Sequence, residues 1–180
     1  MNIASLLGKA QQMMAVAFQL KTEAQSYLQK LPGFSFDETM AGPITLDGSQ
    51  HPRHMEFRIH AEVPSLGEYL EEGRTDIAGT VSISGFADSA ALSGSLWILP
   101  LQRQIRYEFG FAANDGSPYR FAGQKDISPL DPVTTLTVLP AYLYDAHGRE
   151  TGQAEVRFAL GDLPSFLASW RPVLAGNSRR

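Results

Sequence analysis

After Lys30 the chain contains a single lysine, Lys125, and every other cation is an arginine. Arginine keeps its charge permanently, whereas lysine offers a compact ammonium on a flexible stem and yields its proton when buried. Lys125 sits in Gly123-Gln124-Lys125-Asp126, near Asp131 and the Thr134-Thr135 pair. Two readings follow: a ligand-anchoring cation at the mouth of a barrel, or a surface ion pair with Asp126 or Asp131. Tyr107, Phe109, Phe111, Tyr119 and Phe121 line one face of the segments flanking Asn114-Asp115-Gly116. Such a face either walls an apolar ligand cavity or packs as core. Lys125, Tyr107, Phe109 and Tyr119 are therefore the ligand-binding candidates.

Other chemistry finds little footing. His51 and His54 lie in an HPRH segment, and His60 follows with Glu56 and Glu62 on the same strand parity. A metal needs three or four converging donors, and an alternating polar row is also what a solvated strand face looks like. His147 falls in a turn. The chain has no cysteine, which removes thiolate metal sites, thiol catalysis and disulfides. No Gly-rich nucleotide loop and no G-x-S-x-G elbow occurs. The sequence thus assigns no catalytic residue, no cofactor and no metal ligand.

These candidates need elements to hold them. Residues 1–32 carry apolar side chains at Ile3, Leu6, Leu7, Ala10, Met13, Met14, Ala17 and Leu20, a spacing of three and four. That spacing predicts a long amphipathic helix, ended by Pro32-Gly33. The helix packs on its own domain or pairs with a second copy through residues 2–30, which makes a homodimer one expectation. From residue 33 to about 172 the period becomes two. Met55, Phe57, Ile59 and Ala61 alternate with Glu56, Arg58, His60 and Glu62, and Ile77 to Gly85 alternates likewise. Leu92–Leu101 is apolar on both faces, as a doubly covered strand would be. Asn114-Asp115-Gly116 and Asp145-Ala146-His147-Gly148 supply turn chemistry for two hairpins, the second joining Thr134–Tyr144 to Glu150–Leu160. Short helices are expected at Ser65–Glu72 and Asp162–Trp170, and residues 173–180 form a tail. The expected fold is mainly β: an antiparallel barrel or sandwich with a long N-terminal helix and two short ones. On the Ile77–Gly85 strand, Ala78, Thr80, Ser82 and Ser84 make an unusually small, uncharged face, which suggests close cover by the helix or by another subunit, or the lining of a weakly polar cavity.

A net charge of -4 gives no basic face for phosphates, so nucleic acid is not an expected partner. Lys9, Gln11 and Gln12 interrupt the apolar N-terminal run, which is too polar to span a bilayer and lacks a signal peptide's layout. The expectation is a cytoplasmic protein with no membrane span.

The order Phe36-Asp-Glu-Thr-Met-Ala-Gly42, Gly79-Thr-Val81, Tyr107-Glu-Phe109, Asp115-Gly116, Gly123-Gln-Lys125 and Thr134-Thr-Leu136 resembles an accessory β domain of GMC-type, cholesterol-oxidase-like flavin oxidoreductases. The chain departs from those enzymes in having no dinucleotide fingerprint. The resemblance implies a stand-alone relative of the accessory part, associated with an oxidoreductase and with lipid or sterol metabolism, and it carries over no catalytic residue. The first expectation is a non-catalytic barrel or sandwich that binds an apolar, lipid- or sterol-like molecule or a protein partner. One alternative is a small cofactor-independent enzyme of lipid or steroid chemistry that uses Lys125, Tyr107 and a carboxylate for proton transfer. The other is a structural protein that dimerises through its N-terminal helix.

Overall fold

The computed structural model describes residues 32–65, 69, 73–99, 102–128, 130–162, 165, 168–169 and 171–173. The expected N-terminal helix, its dimer contact and the tail lie outside the described residues. So do most of the two expected short helices, although Tyr69 and residues 165 and 168–169 are helical.

Alternation of apolar and polar residues builds nine strands: β1 (Pro32–Leu46), β2 (Arg53–Ser65), β3 (Arg74–Ile83), β4 (Ala87–Leu99), β5 (Gln104–Ala112), β6 (Pro118–Asp126), β7 (Val138–Asp145), β8 (Glu150–Arg157) and β9 (Arg171–Val173). Every pairing is antiparallel. The strands run in order from β2 to β8, and β1 pairs with both β8 and β2. An eight-stranded barrel is thereby closed, which resolves the choice between barrel and sandwich and leaves none of the eight with an open edge. β9 adds to β1 at Gly33–Ser35, while β8 takes the same edge of β1 further along, from Ala41 to Leu46.

Period-two patterning decides which side chains fill the barrel. Met40, Ile44, Met55, Phe57, Ile83, Phe109, Phe121, Leu139 and Leu143 point inward and are essentially fully buried. Phe109 and Phe121 stack with centroids 4.6 Å apart, and Phe57 meets both edge-on at 5.2 and 5.6 Å. Such packing across the middle layer leaves no lumen there. The outer positions carry Glu56, Arg58, His60, Glu62, Arg106, Glu108, Glu155 and Arg157. Apolar inside and charged outside is the reverse of a transmembrane barrel. Among the described residues no helix is long and apolar enough to cross a membrane.

Both expected hairpins form. Gly116 and Gly148 take φ of 84° and 74°, the left-handed region that glycine enters without Cβ strain. Three details differ from the sequence reading. Residues 134–137 are not strand but the end of a helix, α1 (Pro132–Thr137), because Asp131 caps it by accepting from the Thr134 N–H and Pro132 sits in its first turn. The strand near Trp97 is not covered on both sides, since Trp97 faces outward and is only half-buried. Ala78 and Thr80 lie on the outside of β3 and are exposed, so this small face does not line a cavity inside the barrel.

Candidate functional site

Lys125 occupies the last inward position of β6, where Phe121 and Gly123 precede it on the same face. It is only 3% exposed. The surface pairing with Asp126 or Asp131 is therefore not what forms: the ammonium turns into the barrel. It lies 3.3 Å from the Tyr107 hydroxyl, 5.1 Å from the centre of the Tyr107 ring and 3.8 Å from a Glu38 oxygen. Tyr107, one strand over on β5 and also 3% exposed, donates its O–H to the Glu38 carboxylate at 3.0 and 3.2 Å. A chain of hydrogen bonds thus runs from Lys125 Nζ through Tyr107 Oη to Glu38.

Sequence reasoning did not single out Glu38, although a signal was present. Glu38 shares the parity of Phe36, Met40 and Ile44 on β1, so a strand built on those residues must aim a carboxylate inward. It is 8% exposed. Burial shifts both charged partners toward neutrality: it raises the Glu38 pKa against the opposing pull of Lys125 and the Tyr107 hydrogen bond, and it lowers that of Lys125 against the pull of Glu38. Desolvation therefore outweighs the attraction on both sides. Burial and the neighbouring Glu38 charge hold the Tyr107 phenol well above its ordinary range. These are proton-transfer groups, sealed beside the Phe57–Phe109–Phe121 stack rather than presented to an opening. Replacing such a buried pair by apolar residues is often neutral or stabilising, so the pair is by itself weak evidence of stability.

Of the four candidates, Lys125, Tyr107 and Phe109 gather around this interior network. Tyr119 does not. It lies at the opposite end of the barrel, half-buried, with Phe86 set edge-on at 4.9 Å and Phe111 stacked at 6.1 Å. An open cleft of about 640 Å³ lies there. Leu46 ends β1, Arg53 begins β2 and Tyr119 is the second residue of β6, all on inward parity, so their side chains converge on this mouth. Arg53 Nη1 donates to the carbonyls of Ser84 and Gly85 at 3.1 and 2.9 Å, which fixes the guanidinium plane. No carboxylate pairs with it among the described residues. A cation at a barrel mouth is present, and it is Arg53 at this end rather than Lys125 at the other. Asp47 and Gln50 complete the rim.

The histidines do not converge. His60 pairs with Asp37 at 2.7 Å on the exposed face. Among the described residues no group of His, Asp and Glu side chains could hold a metal ion. Comparison of the chain with known protein families, curated proteins and solved structures finds no match.

Proposed function

We propose that the chain is a non-catalytic binding barrel that takes a small apolar molecule bearing a carboxylate at the mouth formed by Leu46, Arg53, Phe86 and Tyr119. The observation that carries this reading is Arg53: a part-sheltered guanidinium held by two backbone carbonyls, paired with no carboxylate among the described residues, in a cleft that Phe86 and Tyr119 also line. Arginine in that state presents a bidentate donor edge to a carboxylate, and the rings offer apolar surface to the ligand's body. The interior is a poorer host, because its own phenylalanines occupy it. The resemblance to a cholesterol-oxidase-like accessory domain adds a lipid- or sterol-related setting. Three pieces of that resemblance, in residues 36–42, 107–109 and 123–125, supply Glu38, Tyr107 and Lys125 of the interior network.

Amide chemical shifts during titration with phenylacetate and with decanoate test the proposal. Saturable shifts are expected at Leu46–Arg53, Phe86 and Tyr119. Arg53→Gln should weaken binding about tenfold, the scale of a lost charge-assisted contact. Arg53→Lys, which keeps the charge but loses the fork, should fall between. The proposal fails if neither acid shifts these amides, or if both arginine variants bind as the parent does.

A further inference from the structure

The outer wall of β4–β7 carries a groove unrelated to the mouth. Its floor is Ala122 with the Gly123 backbone on β6, and its volume is about 400 Å³. On one side stand Trp97 of β4 and Arg106 of β5; on the other stand Pro140, Tyr142 and Tyr144, which succeed one another on the outward parity of β7. Neighbouring strands lie about 4.8 Å apart, so walls on β5 and β7 enclose a channel roughly one polypeptide wide that runs along β6. Tyr142 is 44% exposed, unusual for a large ring at the centre of a sheet.

We infer that this groove docks an extended, proline-containing segment of a partner protein with an acidic residue beside its apolar ones. Three observations select that occupant. Tyrosine, tryptophan and arginine are the residue types that dominate binding energy at protein interfaces. Aromatic walls over a small-residue floor suit a polyproline-type chain, which is already extended before it binds and so loses little entropy. Charge completes the argument. Arg74 has Asp76 at 3.1 Å and Arg120 has Glu108 at 3.5 Å, whereas Arg106 donates only to the Gln104 side-chain carbonyl at 3.0 Å. Among the described residues Arg106 has no carboxylate partner. Glu108 also lines the groove but is engaged by Arg120, so Arg106 is the lining charge left for an acidic side chain of the occupant to pair with.

The test is selection of a random dodecapeptide phage library on the full-length protein, with the enriched peptides then synthesised and titrated. Enrichment of sequences pairing proline with Asp or Glu is expected. Binding should be lost in Trp97→Ala and in Tyr142→Ala, and weakened about tenfold in Arg106→Gln with steeper loss for the acidic peptides. These side chains are on the surface, and far-ultraviolet circular dichroism of each variant confirms that the barrel is intact. The inference is overturned if no peptide family is enriched, or if enriched peptides bind the Trp97 and Tyr142 variants normally. It is equally overturned if a glycan array gives saturable binding that depends on these two residues while peptides give none. Phenylacetate binding at the mouth should be unchanged in all three variants, so this test and that of the mouth fail separately.

Discussion

The Tyr107 hydroxyl reaches the Glu38 carboxylate at 3.0 Å from the far side of the barrel: β5 and β1 stand four strands apart in either direction around the eight. A hydrogen bond between diametrically opposed strands fixes how those strands stand against each other, and Lys125 supplies the charge that makes the buried carboxylate tolerable.

Removing one member of that pair should therefore harm more than removing both. Lys125→Met leaves an uncompensated buried carboxylate and should lower unfolding stability by about 3–5 kcal/mol near neutral pH. A Glu38→Met, Lys125→Met double variant should recover most of that loss. In Lys125→Met the folded state keeps the Glu38 proton that the unfolded chain releases, so stability must fall as pH rises above the carboxyl's ordinary 4.5. Urea denaturation of the three proteins between pH 4 and 8 checks both the ordering and the slope.

Tyrosine ionisation offers a second check. Burial pushes Tyr69 up to about 12, and burial with the Glu38 charge holds Tyr107 higher than usual. Above pH 10 the unfolded chain sheds these protons while the native state keeps them, so stability falls as pH rises further. Absorbance at the phenolate band should show a late step for these two phenols, and Tyr107→Phe should remove part of it.

The spacing of the strands yields a contrasting pair of glycine variants. A Cβ on Gly94 would stand 2.0 Å from the Glu108 carbonyl oxygen, whereas one on Gly110 meets nothing closer than the Tyr119 carbonyl at 3.7 Å. Gly94→Ala must push β4 from β5 and should lower stability by about 1–3 kcal/mol. Gly110→Ala should raise it by about 0.4–1 kcal/mol through the unfolded chain's entropy. Thermal unfolding distinguishes the two signs.

Asp131→Ala removes the cap of α1 and should cost about 1 kcal/mol. A loss much below that, read by denaturant midpoint, would mean that packing against β6 and β7 alone holds the turn.

Much of the fold was legible because strands announce themselves by parity. The alternation at Met55–Glu62 and Ile105–Phe111, and the turns at Asn114–Gly116 and Asp145–Gly148, predict antiparallel pairs directly. Closure was not legible, since nothing local in β1 says that its two edges meet β2 and β8. The helix at Pro132–Thr137 was missed because Thr134, Thr135 and Thr137 favour strand by composition. The Asp-Pro cap that overrode them is a two-residue signal. Lys125 stood out by being the one lysine among arginines, yet its partner Glu38 is far away in sequence, and only the barrel brings them together. Arg53 could not be distinguished from its neighbours until the rim existed.

The division of one edge of β1 between β8 and β9 has a consequence in time. Gly33–Ser35 wait for Arg171–Val173, and Ala41–Leu46 wait for Gly152–Arg157. A strand at the beginning of the described chain is thus completed only by those at its end. During synthesis β2 to β7 can pair successively as they emerge, but the cylinder cannot shut until β8, through Arg157, has been made. Closure that depends on such distant partners is slow. Until then the unpaired edge of β1 is the surface most open to capture by another chain, so slowed translation near residues 152–173 should show as aggregation rather than as loss of secondary structure.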